Sequence, residues 1–72
     1  MRMIQIDATV TVDDGTQMVG RVTGITDSNG VLTIEGPLSS FQNNMLAAIQ
    51  REIIAGEQAG SVTAVWAWHY AD

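Results

Sequence analysis

Ser61-Val-Thr-Ala-Val-Trp-Ala-Trp-His-Tyr70 alternates with period two, the spacing of a β-strand. On such a strand Val62, Ala64, Trp66, Trp68 and Tyr70 point to one side, and Thr63, Val65, Ala67 and His69 to the other. Both tryptophans and the only tyrosine then share a face. No formal charge interrupts the segment, so nothing in it resists pairing with another strand.

Working backwards, Glu57–Gly60 reads as a short loop and the segment before it as a helix. Pro37 as first helical residue, or Ser39 as N-cap with Gln42 completing a capping box, starts the helix. It runs to about Ala55, with Gly56 as the C′ residue. Phe41, Met45, Leu46, Ile49 and Ile53 form one apolar stripe, which predicts the face laid on a sheet, and Ile54 falls on the far side. Glu52 lies within that stripe and is the most unusual polar residue of the chain.

Residues 2–12 alternate as well, with Ile4, Ile6, Ala8, Val10 and Val12 on one side and Gln5, Asp7, Thr9 and Thr11 on the other. Asp14-Gly15 and Asn29-Gly30 are hairpin-turn pairs. They delimit a second strand from about Thr16 to Thr26 and a third over Val31–Glu35. A two-residue turn at Asp14-Gly15 sets Val10 opposite Val19 and Ile4 opposite Ile25. A three-residue loop sets Val12 opposite Met18 and Ala8 opposite Val22. A two-residue turn at Asn29-Gly30 places Ile25 opposite Ile34 and favours the first register. Val19, Ile25, Leu32 and Ile34 are then inside with Ile4, Ile6 and Val10. Arg21 is also on the inner face, and Met18, Gly20, Val22 and Gly24 form an outer strip. One residue of slip would exchange these faces.

The expected fold is α+β, β-β-β-α-β, in a single domain spanning residues 1–72. A three-strand antiparallel meander carries one helix, and the sheet is four-stranded and mixed. A right-handed crossover brings the last strand parallel to the first. It sits beside strand one (order 3-2-1-4) or beside strand three (1-2-3-4). The apolar character of strand one favours the former. In either case the aromatic strand is an edge.

Composition bounds the function. A chain of 72 residues buries only about 60% of its unfolded surface, and no cysteine is present to supply a disulfide or a thiolate metal site. Hydrophobic residues make up 46% of the chain and charged residues 15%, a surplus that points to self-association. Three arginines, no lysine and a net charge of −5 argue against a nucleic-acid polymer as partner. They argue equally against attraction to an anionic membrane. The N-terminus lacks a signal-peptide pattern, and a cytoplasmic protein is the expectation.

The enzyme case is thin. One histidine cannot build a multi-histidine metal site, and no cofactor is implied. Asp13, Asp14 and Asp27 read as turn residues. Glu52 and Arg21 are expected to pair at the edge of the core, or to line a ligand pocket or subunit contact with His69. Trp66, Trp68 and Tyr70 lie under the helix or form a binding surface. The mixed arrangement is expected, with Trp66 inside and Trp68 with Tyr70 partly at an interface. The reading is a non-enzymatic homo-oligomer of inhibitor or accessory type that occupies a partner protein or sequesters a small ligand. The alternatives are a structural subunit of a larger assembly, and a small enzyme using His69 and Glu52 at a subunit interface.

Overall fold

The computed structural model describes Met1–Asp72 as one helix laid on one face of a five-stranded antiparallel sheet. The elements are β1 (Arg2–Thr11), β2 (Gln17–Thr26), β3 (Leu32–Thr33), α1 (Ser40–Ile54), β4 (Ala59–Ser61) and β5 (Trp66–Tyr70). Their order in the sheet is β3-β2-β1-β5-β4. The α+β class, the meander, the single helix and the position of the aromatic strand beside β1 are as the sequence predicts. The four-stranded mixed sheet is not.

The extra strand, β4, takes Ala59 and Gly60 from the segment expected to be a loop and Ser61 from the start of the expected aromatic strand. Ser61 and Thr63 use their side chains locally: Ser61 Oγ donates to the carbonyls of Thr63 (2.7 Å) and Trp66 (3.2 Å), and Val65 N–H donates to Thr63 Oγ1 (3.0 Å). Hydroxyls that bond nearby backbone compete with a strand ladder and favour a turn. The chain reverses after Val62, whose N–H meets the Trp66 carbonyl at 3.1 Å. β4 therefore becomes the edge, and β5 lies internally, antiparallel to both β1 and β4.

Both meander turns contain one residue more than the two-residue reading allows. Val12 N–H donates to the Thr16 carbonyl and Gly15 N–H to the Val12 carbonyl; Asp27, Gly30 and Val31 repeat the pattern. A two-residue type I′ turn would force Asp14 and Asn29 to positive φ, and no residue except glycine adopts positive φ here. Instead, within these two turns only Gly15 (φ 87°) and Gly30 (φ 80°) are left-handed, each ending a three-residue loop. The register is Ile4 with Gly24, Ile6 with Val22 and Ala8 with Gly20, which is neither of the two registers expected. Every residue of β2 is thus on the opposite face from that predicted. Gly20, Val22 and Gly24 are inside; Val19, Arg21 and Ile25 are outside. The second slip cancels the first at β3, so Leu32 and Ile34 still face inward and pack on the core. β3 is also shorter than Val31–Glu35.

The helix conforms to its sequence signals. Ser39 and Gln42 form the capping box, with Gln42 N–H donating to Ser39 Oγ at 3.2 Å and Ser39 N–H to Gln42 Oε1 at 2.8 Å. Gly56 N–H donates to the Ile53 carbonyl and Glu57 N–H to that of Glu52, the paired bonds of a Schellman end. Gln50 ties the helix to the second turn, accepting from Leu32 N–H at 2.6 Å and donating to the Gly30 carbonyl. Ile49 and Ile53 are buried on Ile4, Ile6, Trp66 and Trp68, and these six residues are the core. Phe41, expected in the same stripe, is half exposed.

Lengths explain why the core is small. Fifteen helical residues reach about 22 Å, whereas a ten-residue strand such as β1 reaches about 33 Å. The helix covers the Ile4–Ile6 end of β1 and β2. Beyond Ala8 and Gly20 the hairpin projects past the body, and the molecule measures 43 × 24 × 19 Å.

Candidate functional site

Two faces and one projecting arm remain after the core is assembled. On the inner face, Trp66 and Trp68 are core residues, 6% and 2% exposed. The expectation that Trp68 reaches an interface is corrected: as an internal strand, β5 places Trp68 opposite Ile6 and under the helix. Its Nε1–H donates to the Glu52 carboxylate. This contact explains the acid in the apolar stripe. Gly60 lies opposite Trp68 on β4, where a Cβ would collide with the Glu52 carboxylate and stand 2.9 Å from the indole nitrogen. Tyr70 is half-buried, edge-on to Trp68 at 5.5 Å, with the Arg2 guanidinium 3.5 Å from its ring centre. Arg2 also meets Asp72 at 3.3 Å.

The expected Glu52–Arg21 pair does not form, because β2 faces the other way. Arg21 lies on the helix-free outer face, where its Nε donates to Asp7 Oδ1 at 3.1 Å. Gln5 Nε2 donates to the other Asp7 oxygen at 3.3 Å. The hydrogen bond from Arg21, then that from Gln5, holds the Asp7 carboxyl below the usual carboxylate range. His69 is exposed on this face opposite Gln5. His69 and Glu52 are therefore on opposite faces of the sheet and do not meet within a chain. No three metal-ligating side chains cluster, and the carboxylates of Asp14 and Asp27 bond the backbone of their own turns at 2.8–2.9 Å.

These placements make the coupling pattern testable. A double-mutant cycle of Glu52→Gln and Trp68→Phe should show coupling of about 1 kcal/mol, since each partner is left unmatched alone. Glu52→Gln with Arg21→Met should be additive within about 0.5 kcal/mol. Coupling in the second pair and none in the first, read from urea denaturation, would contradict the faces assigned to β2.

The projecting arm is the surface that sequence reasoning missed. Val10 (43% exposed), Met18 (62%) and Phe41 (53%) lie around an open groove of about 490 Å³, floored by Gly20, Val22 and Trp66. Val19, 76% exposed, projects from the other side of the same strand. Apolar side chains gathered around a projection whose only formal charges, Asp13 and Asp14, sit at its tip are a common mark of an interaction surface. The missed signal is the mismatch in length between strands and helix, legible once both turns are placed.

The chain matches no family model, no curated protein and no solved structure. No helix is long and apolar enough to cross a membrane.

Proposed function

We propose that this chain is a non-enzymatic binding protein that works as a small homo-oligomer and occupies a partner protein through the β1–β2 arm. The observation that carries the reading is the groove where exposed Val10 and Met18 of the β1–β2 arm meet exposed Phe41 at the start of the helix. Between Gly15 and Thr26 the only formal charge is Arg21. Charge depletion with exposed apolar groups is what the centre of a protein interface requires. A protein partner suits the site better than a sequestered small ligand, because the grooves are open rather than enclosing and small-ligand sites bury most of their ligand.

A structural subunit of a larger assembly would use the same surface. Native mass spectrometry of the protein isolated from its own host separates the two. A stoichiometric complex with a second protein, lost on Met18→Glu while the circular dichroism spectrum is kept, is the expected result. A defined homo-oligomer holding nothing else favours the structural subunit. A folded monomer without any partner overturns both.

A further inference from the structure

The hydrogen-bond parity of the first hairpin identifies an open strand edge. Val12 N–H donates to the Thr16 carbonyl at 2.8 Å, so the pairs exchanging N–H and C=O across this hairpin are 10 with 18, 8 with 20, 6 with 22 and 4 with 24. Bonds on the far side of β1 agree with this parity: Thr9 N–H donates to Val65, and Ala71 N–H to the Met3 carbonyl. The N–H and C=O groups of Gln17, Val19, Arg21 and Thr23 therefore point away from β1. β3 reaches β2 only at Ile25 and Thr26, and none of these four residues has a main-chain partner on that side. The chain leaves β3 by folding over the inner side of Gly24, where the Thr33 carbonyl lies 3.0 Å from the position a Cβ would take. It leaves a groove of about 510 Å³ between Arg21, Thr23 and the Thr33–Glu35 segment.

We infer that a second copy of this chain occupies this edge, β2 to β2, antiparallel about a two-fold axis at Gly20. The inference rests on the self-association in the proposed function and specifies its geometry. Three observations select a second copy. An antiparallel strand paired with itself is self-complementary and closes as a dimer. With Gly20 facing Gly20, Gln17 exchanges bonds with Thr23 and Val19 with Arg21 of the other copy, so all four open residues are paired. Moving the axis to Arg21 would set the two arginines directly opposite each other, and moving it to Val19 would leave Thr23 unpaired. Finally, Arg21 is the only formal charge in Gln17–Thr23, so no two carboxylates face each other across the paired stretch.

The glycine suits the axis. Gly20 would be a non-hydrogen-bonded pair, where Cα atoms approach to about 4.5 Å. Met18 of one copy would lie beside Val22 of the other on the inner face, joining the two grooves. A stable interface needs about 800 Å² per partner; the 76% exposed Val19 adds to what the strand edge supplies, and the joined grooves of Val10, Met18 and Phe41 stay on the inner face for the partner protein.

The absence of cysteine makes the test direct, since a single introduced thiol can form a disulfide only between copies. A Cβ at Gly20 meets nothing within 4 Å, so Gly20→Cys is compatible with the fold. Mild oxidation should crosslink Gly20→Cys on the order of tenfold faster than Thr9→Cys on the outer face of β1, because only the axial position brings two Cα atoms within disulfide reach. Val19→Pro should stay folded and become monomeric, because proline is tolerated where the N–H faces outward from an edge. A wild-type chain that sediments as a monomer at micromolar concentration overturns both this inference and the self-association beneath it. A dimer in which Gly20→Cys crosslinks no faster than Thr9→Cys overturns the β2 edge alone. Should either variant fail to fold, amide exchange of the unmodified protein decides the matter. Val19, Arg21 and Thr23 amides whose protection rises with protein concentration support the β2 edge, and protection independent of concentration overturns it.

Discussion

Trp68→Ala is expected to leave the chain unfolded at every protein concentration. Trp68 is 2% exposed, stands opposite Ile6, meets the Tyr70 ring edge-on at 5.5 Å and donates its indole N–H to Glu52. Truncating a buried tryptophan costs about 3–5 kcal/mol, and here it also strips a half-buried carboxylate of its donor. A domain of this size holds on the order of 4–11 kcal/mol in all, and this core of six residues places it at the lower end. Far-UV circular dichroism checks the outcome. A native spectrum with lost assembly would mean that Trp68 serves a surface rather than the core.

Ile49→Ala is expected to have the next largest effect, about 2–5 kcal/mol. Ile49 and Ile53 are the two buried residues of the helix, and Ile49 is 0% exposed between the helix and the sheet. With a urea slope of about 1 kcal/mol per molar, the midpoint should fall by about 2 M or more. Ile54→Ala, at a side chain 68% exposed, should change stability by less than about 0.5 kcal/mol. Equal losses at both positions would mean that the helix is rotated from the orientation described.

Apart from the exposed Phe41, the helix was legible in the sequence because its signals are local: the Ser39–Gln42 box, the apolar stripe and Gly56 each act within a turn or two. The meander was legible in its elements but not in its register. Asp14-Gly15 and Asn29-Gly30 fit a two-residue turn by composition, and the choice of a three-residue loop depends on which residue takes positive φ. That choice moved Arg21 from the core to Asp7, and so removed the expected partner of Glu52. The aromatic segment misled for a similar reason. Period two describes Trp66–Tyr70 well, but the hydroxyls of Ser61 and Thr63 turn the chain before it, so that Ala59-Gly60, read as loop, joins Ser61 as β4 and buries β5. The position of Glu52 within the apolar stripe was a correct sign of a buried partner. That partner is the indole N–H of Trp68, an uncharged donor that a search for opposite charges passes over.

The central claim is that the open edge of β2, rather than the aromatic strand, is where this chain meets its own kind. Amide hydrogen exchange on the unmodified protein, read residue by residue at high and low protein concentration, tests it most directly. Met18, Gly20 and Val22 donate inward to β1 and should be protected at both concentrations. Val19, Arg21 and Thr23 donate outward and should be protected only when the protein is concentrated. Outward amides that exchange equally fast at both concentrations would contradict the claim.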